Sequence, residues 1–208
     1  MDWSKYLSDA DETQKNKTLV SKMIETVDDP SIKEFLHLYF DKAVKSYFWT
    51  LPASSTGKYH PETSKGVGGL VRHTLLACNI ADSLMRMNQY ENMKRIRYSV
   101  IAALLVHDSQ KYGVNEGPQP FCCHDHPILA AEQLKYFFYF IYPLEAQQPQ
   151  VSEAWVNDIA EAVSRHMGQW TTSTRSSVVL QEPETDFQKF VHLCDYLSGQ
   201  TYMQYKED

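Results

Sequence analysis

The sequence predicts an all-α fold, arranged as a compact helical bundle in a single domain. Apolar residues recur every three or four positions along most of the chain, which is the period of an amphipathic helix, and no long stretch alternates as a strand would. The 208 residues are 43% hydrophobic, which is enough for one sizeable core and short for two. We therefore expect one domain over residues 1–208, with N-terminal helices in residues 1–49 and the main core in residues 50–205.

Helix and loop signals divide the chain. Asp29, followed by a proline and a serine, gives the second predicted helix a capped start. Residues 50–67 contain prolines, glycines and several hydroxyl residues and are predicted to form a loop. The links 110–125 and 168–184 are long for a compact domain, and loops of that length are often functional. Helices are predicted over residues 13–27, 31–49, 69–88, 91–108, 127–141, 152–167 and 185–204.

Charge and cysteine content limit the partners. The formal net charge is −6 and the isoelectric point is about 5.7. These values argue against binding to duplex nucleic acid, because proteins that bind it usually present a basic surface to the phosphates. A small phosphorylated substrate held by a local positive group stays compatible with this charge. The four cysteines do not suggest a disulfide scaffold, and no segment has the length of a membrane span. We expect a cytoplasmic protein with reduced thiols and no membrane contact.

Four predicted helices each direct an imidazole or a carboxylate toward the core. Their apolar stripes contain His73, His107, His166 and Asp195. One histidine on such a stripe is usually a hydrogen-bonded core residue, but four converging residues favour a shared ligand. Burying Asp108 and Asp195 without a partner would cost several kcal/mol each, and no Arg or Lys lies on those stripes. The sequence therefore predicts a metal centre.

The predicted ligand set mixes nitrogen and oxygen donors. Two carboxylates and four imidazoles, including His126 at the start of the helix that Pro127 opens, suit Mn, Fe, Co, Ni or Zn better than Mg or Ca. We expect two divalent transition metals bridged by Asp108, because paired metals activate a shared water and clamp phosphoryl oxygens. His124, two residues before His126, is interpreted either as a residue that contacts a metal ligand without binding the metal itself or as an exposed loop residue. Cys122 and the cysteine after it lack the second cysteine pair that a zinc site would need.

The ordered motifs resemble those of the HD-domain metal-dependent phosphohydrolases over about residues 50–205. Their style is closest to the HD domains of 3′–5′ exoribonucleases and of relaxase-type proteins from mobile elements. The sequence departs from the family pattern in two ways: Ser109 and Gln110 replace an apolar-Gly pair, and Met167 stands where many members have a second histidine. The segments that carry the resemblance are residues 68–75, 104–111, 126–132, 159–166 and 190–195.

The resemblance implies a role for each residue. One metal would be held by His73, His107, Asp108 and Asp195, and a second by His126 and His166 with Asp108 bridging. Asp108 and Lys111 are the expected catalytic residues, since Lys111 would contact substrate phosphate or stabilise developing negative charge. The alternative for Lys111 is a surface lysine just beyond a helix end.

The function that these features predict is a metal-dependent phosphohydrolase or phosphodiesterase. It would act on a nucleotide, a cyclic nucleotide or a short oligonucleotide through a metal-activated hydroxide. Two alternatives stay open: a di-iron oxygenase of the HD type, and a nucleotide-binding module without catalysis. The oxygenase would use the same six ligands, so the ligands alone do not separate it from the hydrolase, whereas the full ligand set argues against a module without catalysis.

Several residues near the predicted centre have two interpretations. His60 either lines the substrate mouth or is a plain loop histidine, and Arg72 either contacts substrate or is a solvated surface charge. Surface charge is also the preferred interpretation for Lys58, Lys65, Arg165 and Arg175, and packing is preferred over base stacking for Phe121 and Trp170. The aromatic residues 136–142 pack in the core or form part of a homodimer interface.

Overall fold

The computed structural model describes residues 3–58, 60–147 and 150–203, and the fold is all-α. The predicted fold class is confirmed, since these described residues contain no strand and only an isolated bridge between Ser173 and Ser176. A π-helical segment spans Phe137–Ile141. The α-helices are α1 (Ser4–Leu7), α2 (Ala10–Glu25), α3 (Pro30–Lys42), α4 (Gly69–Leu84), α5 (Glu91–Arg95), α6 (Arg97–Val106), α7 (His126–Tyr136), α8 (Tyr142–Glu145), α9 (Glu153–Ser164) and α10 (Asp186–Ser198).

Side-chain caps fix the start of the long helices. The carboxylate of Asp9 accepts a backbone N–H at the start of α2, and that of Asp29 accepts two at the start of α3. The hydroxyl of Ser152 caps α9 in the same way. Thr185 and Gln188 form a reciprocal capping box at the start of α10. These local signals explain why the predicted and observed helix starts lie close together.

Helix α6 is the centre of the bundle. It packs against α4, α9 and α10, and every residue from Val100 to Val106 is buried. A helix that is apolar on all sides is expected to be buried in this way. The N-terminal helices contribute Phe35 and Tyr39 of α3 to the same cluster of buried apolar side chains. Residues at the C-terminal end of α6 are therefore held rigidly in the middle of the molecule.

Several predicted helices are shorter or broken in the structure. The predicted helix 31–49 ends at Lys42 and is followed by a 3₁₀ turn, Ser46–Trp49. The predicted helix 91–108 breaks at Ile96, where Arg97 hydrogen-bonds Asp82 of α4 and the backbone of Thr26. Helices α6, α9 and α10 end at Val106, Ser164 and Ser198, before the predicted ends. The apolar period runs past these ends, but the backbone changes there to turns closed by local hydrogen bonds, such as those from Ser109 N to Val106 O, His166 N to Val163 O and Gln200 N to Leu197 O.

Three other expectations concern membrane spans, cysteines and exposed aromatic residues. In the described part of the chain, no helix combines the length and the apolar character needed to cross a bilayer. All four cysteines are free thiols, as predicted. Of the aromatic residues 136–142, Phe137 and Tyr142 are core residues, whereas Tyr136 and Phe140 are exposed. A homodimer interface at these exposed rings stays a prediction.

Candidate metal centre

The loop before α4 sets the position of His73. Its backbone bonds directly to the start of the helix, where Gly68 N donates to Thr50 O (2.7 Å) and Leu70 N to Leu51 O (2.9 Å). Gly68 has a φ of +71°, a conformation that L side chains rarely adopt, and a Cβ on Gly69 would collide with the carbonyl oxygen of Ser64. This glycine pair therefore lets α4 begin directly beside the loop, with His73 buried one turn later.

Three other imidazoles lie at helix ends, where free backbone groups can orient them. His107 follows the last residue of α6, His166 lies two residues after α9, and His126 is the first residue of α7. In each of them Nδ1 lies next to the carbonyl oxygen three residues earlier, at 2.5 Å for His107, 2.6 Å for His126 and 2.7 Å for His166. A carbonyl only accepts, so Nδ1 donates, and in the neutral ring the lone pair is on Nε2.

His73 is oriented by a side chain instead. The hydroxyl of Ser198 donates to the carbonyl oxygen of Asp195 at 2.7 Å and lies 3.0 Å from His73 Nδ1. Because its hydrogen is already used, the Ser198 oxygen accepts from His73 Nδ1–H, which again leaves Nε2 free. All four imidazoles therefore present Nε2 to the interior, which is the arrangement that second-layer hydrogen bonds give to metal-binding histidines.

One half of the centre surrounds Oδ2 of Asp108. His73 Nε2 lies 3.5 Å from this oxygen, and His107 Nε2 lies 3.4 Å from it. Asp195 Oδ1 completes the group, 3.0 Å from His73 Nε2 and 3.4 Å from His107 Nε2. Ligand atoms of His73, His107 and Asp195 lie close enough together to hold one metal ion. The first predicted ligand set is thus brought together, although His73 and Asp195 are 122 residues apart.

The other half surrounds Oδ1 of the same carboxylate. His126 Nε2 lies 2.9 Å from Asp108 Oδ1, His166 Nε2 lies 3.5 Å from it, and the two imidazole nitrogens are 3.1 Å apart. Lys111 also reaches this half, with Nζ 3.0 Å from Asp108 Oδ1 and 3.4 Å from His126 Nε2. Asp108 is therefore placed between both groups of imidazoles, as a bridging ligand would be, and Lys111 lies in the centre rather than on the surface.

The buried charges shift the pKa values strongly. Burial raises the pKa of the Asp108 carboxyl, but His107 and Lys111 outweigh burial and hold that pKa well below its usual range. Burial lowers the pKa of His107, but Asp108 and Asp195 more than reverse this and raise it to about 10. Burial and the Lys111 ammonium lower the pKa of His126 to about 3. Burial raises the pKa of Asp195, but His107 and His73 outweigh burial and hold it well below its usual range, so both carboxylates are ionised at neutral pH and require positive charge nearby.

Buried polar atoms that lack a hydrogen-bond partner indicate whether a metal ion fits among these residues. His107 Nε2 and Asp108 Oδ2 are buried without a hydrogen-bond partner among the described residues, and they face each other. In the second half, His126 and His166 point two nitrogen lone pairs at each other across 3.1 Å. Two facing lone pairs are costly unless a cation lies between them, and a buried carboxylate oxygen without a hydrogen-bond partner also favours a cation. The four imidazoles and two carboxylates therefore fit divalent transition metals.

His60 and His124 lie close to the centre without joining the ligand set. The His60 ring is 5.1 Å from that of His73 in an edge arrangement, and its buried Nδ1 has no hydrogen-bond partner among the described residues. Burial lowers the pKa of His60 to about 3. His124 Nε2 lies 3.2 Å from the carbonyl oxygen of Thr171, which joins the two long links. His60 therefore borders the first half, and His124 holds the loops together.

Arg72 has a different environment from the one expected of a substrate contact. Its guanidinium pairs with Glu12 of α2 at 3.0 Å and donates to three carbonyl oxygens of the preceding loop, those of Thr63, Lys65 and Val67. It lines neither of the two cavities beside the centre. The side chain therefore anchors the loop and α2 to α4, and its substrate role stays a prediction without a supporting contact.

Two cavities open next to the centre. The Trp170 cavity, of about 770 Å³, is lined by His60, His73, Lys111, Trp170, Asp195 and Tyr196, among others. The Arg175 cavity, of about 580 Å³, is lined by Lys111, Phe121, His124, His126, Ser173 and Arg175, among others. Solvent and small molecules can therefore approach both halves of the centre.

Sequence reasoning missed one residue of this centre. Ser198 was not predicted to have a role, although it orients His73 and is fully buried. Its position three residues after Asp195 on α10 was the available signal, because residues at that spacing share a helix face. Hydroxyl residues are common on helices, so this signal becomes useful only when the position of His73 is known.

The comparisons with known proteins agree with this geometry. A family model described as HD domain matches residues 70–200, which is more than half of the chain and includes all six predicted ligands. The comparisons with curated proteins and with solved structures give no significant match. The chain therefore belongs to the HD-domain family, whose members are generally metal-dependent hydrolases.

Proposed function

We propose that this protein is a metal-dependent phosphohydrolase that hydrolyses a phosphoester bond in a nucleotide-type substrate. The observation that supports the proposal most directly is the position of Asp108, whose two carboxylate oxygens face separate groups of imidazoles. In the hydrolysis, one P–O bond of the substrate breaks, the oxygen of water joins phosphorus, and a proton ends on the leaving oxygen. No oxidant or reductant is needed.

We further propose that the centre holds two divalent transition metals. His73, His107 and Asp195 would hold one ion and His126 and His166 the other, with Asp108 between them. When bound, such ions supply Lewis acidity, which activates water and neutralises charge on phosphoryl oxygens. The fixed Nε2 lone pairs and the ionised carboxylates favour such cations over a hydrogen-bonded core.

Lys111 is the residue best placed to act on the substrate itself. Its ammonium lies beside Asp108 and lines both cavities, and its side chain is 12% exposed. Burial lowers the pKa of Lys111, but Asp108 and Cys122 reverse this and the pKa is raised above its usual value. A permanently charged ammonium at this place would bind a phosphoryl oxygen and stabilise the negative charge that grows during attack.

The test is turnover by protein of measured metal content. Protein loaded with Mn²⁺ or Ni²⁺ is expected to release p-nitrophenol from bis-p-nitrophenyl phosphate at the same rate with and without oxygen, and to hydrolyse members of a nucleotide panel. Bound iron together with oxygen-dependent activity would indicate an oxygenase and contradict the proposed hydrolase. Tight nucleotide binding without turnover by the metal-loaded protein would indicate a nucleotide-binding module that has no catalytic activity.

A further inference from the structure

We propose that the substrate is a phosphodiester that joins two nucleoside-sized groups, such as a dinucleotide or the end of a short oligonucleotide. This inference rests on the proposed hydrolase function and narrows its substrate to one class. It starts from the arrangement of the two cavities around the metal centre. A phosphodiester has a substituent on each side of phosphorus, whereas a monoester has only one.

The two cavities meet at the centre and share part of their walls. Lys111 and Met167 line both of them. The Trp170 cavity contains His73 and Asp195 of the first half, and the Arg175 cavity contains His126 of the second half. Each cavity, at about 770 and 580 Å³, is within the size range of a pocket for one drug-sized ligand. A phosphate held at the shared wall would therefore have space for a large group on either side.

The Trp170 cavity provides an aromatic surface for one nucleobase. The rings of Trp170 and Tyr196 stack with centroids 5.6 Å apart and planes 26° apart, and the two residues remain 46% and 40% exposed. Tyr196 directly follows Asp195 on α10, so this stacked pair lies beside the first half of the centre. Exposed aromatic rings bind nucleobases by stacking, with little dependence on sequence.

The position of Trp170 is tied to the metal ligands. His192 of α10 lies between them, with its ring 6.0 Å from that of Trp170 and its Nδ1 donating to the backbone carbonyl of His166 at 2.7 Å. Gly168 has a φ of +62°, and a Cβ there would collide with the His192 ring. The turn after His166 is therefore built to bring Trp170 against α10, which makes the aromatic surface a fixed part of the centre.

The Arg175 cavity provides positive charge for the other half of the substrate. The guanidinium of Arg175 lies 5.3 Å from the ring centroid of Phe121, and no carboxylate of the described residues is within ion-pair distance of it. Asp125 also lines this cavity, but Lys111 and Arg175 outnumber it. An unpaired guanidinium next to an exposed aromatic ring suits a nucleoside that carries a terminal phosphate.

The first experiment compares substrates with the Mn²⁺-loaded protein. A dinucleotide with a 5′-phosphate is expected to show at least a roughly tenfold higher kcat/KM than a mononucleotide or a 3′,5′-cyclic mononucleotide, since stacking of one base alone gives about that factor. Methyl p-nitrophenyl phosphate, a diester without a nucleobase, reports the hydrolase itself. If no phosphoester is hydrolysed, the proposed function fails; if the mononucleotides are hydrolysed as well as the dinucleotide, only the diester inference is overturned.

The second experiment removes the two binding surfaces in turn. Trp170→Ala is expected to raise KM for the dinucleotide roughly 5- to 150-fold, more than it raises KM for methyl p-nitrophenyl phosphate, and Trp170→Phe is expected to stay close to wild type. The control is Phe140→Ala, which removes a ring that is 61% exposed and lines neither cavity. An unchanged dinucleotide KM in the folded Trp170→Ala protein would overturn the assignment of the aromatic surface.

Arg175→Gln tests the opposite side. It is expected to raise KM about tenfold for the dinucleotide with a 5′-phosphate, and by less for the dinucleoside monophosphate that lacks this phosphate, because one charge-assisted contact to phosphate is lost. Arg86→Gln is the matched control, because Arg86 is exposed and lines neither of the two cavities. Equal effects on both dinucleotides would contradict a terminal phosphate at Arg175.

Discussion

The two halves of the metal centre share one carboxylate but differ in the positive charge that the chain itself provides. In the first half, His107 Nε2 and Asp108 Oδ2 are buried without a hydrogen-bond partner among the described residues. In the second half, the ammonium of Lys111 already lies 3.0 Å from Asp108 Oδ1 and 3.4 Å from His126 Nε2. In the metal-free first half the positive charge is the His107 imidazolium, whose proton a bound metal would displace, whereas the second half has the Lys111 ammonium, which stays charged beside a bound metal. We expect the first half to bind its metal more tightly.

The largest effect is expected from the residue that both halves share. Asp108→Ala should lower metal affinity in both halves by more than about 100-fold, since loss of a mere orienting partner already costs about 10- to 100-fold, and it should abolish turnover. Elemental analysis of the purified variant measures the metal. Asp158→Ala, at an exposed carboxylate of α9, serves as the control. Full metal retention by Asp108→Ala would contradict the bridging position.

Removing a ligand of one half separates the two halves. His166→Ala is expected to reduce the metal-to-protein ratio from about two to about one without loss of the fold, because the first half keeps its own ligands. Circular dichroism and elemental analysis on the same sample measure fold and metal. A ratio that does not change would indicate a single-metal centre and would remove the distinction between the halves.

The hydroxyl that orients His73 provides a test of the first half alone. Ser198→Ala should weaken the tighter metal by about tenfold, because His73 loses the acceptor of its Nδ1–H. Isothermal titration of the metal-free protein measures the affinity. Ser164→Ala is the matched control, since Ser164 also ends a helix and donates to the carbonyl three residues earlier, at 2.9 Å. A similar loss in both variants would indicate a general helix-end effect.

The smallest effect is expected from Lys111, and its sign is the informative part. Lys111→Met should tighten binding of the second metal roughly three- to tenfold, because the cation no longer competes with an ammonium for Asp108 Oδ1 and His126 Nε2. The same variant should turn over substrate more slowly if Lys111 binds phosphate. Lys94→Met, at an exposed lysine of α5, controls for the change in net charge. Weaker binding of the second metal in Lys111→Met would contradict the conclusion that Lys111 competes with the metal ion of the second half.

Much of the fold and of the centre could be predicted from local patterns. The apolar period located the helices, and the cap at Asp29 marks a start that the structure shares. The residues of the centre stood out because buried histidines and aspartates on apolar stripes need a partner. The helix ends were less predictable, since the break at Ile96 coincides with contacts that Arg97 makes to the distant residues Asp82 and Thr26.

The sequence alone determined which kinds of atom would enter the interior and at what helical spacing, because side-chain chemistry and helical period are local properties. Only the tertiary structure decided which oxygen of Asp108 faces which imidazole, that Lys111 lies inside the centre, and that Arg72 holds a loop instead. It also decided that Ser198 orients His73 and that two cavities share the Lys111 wall. These relations join segments as far as 125 residues apart, as in the contact between His73 and Ser198, and such contacts are set by packing of the whole bundle.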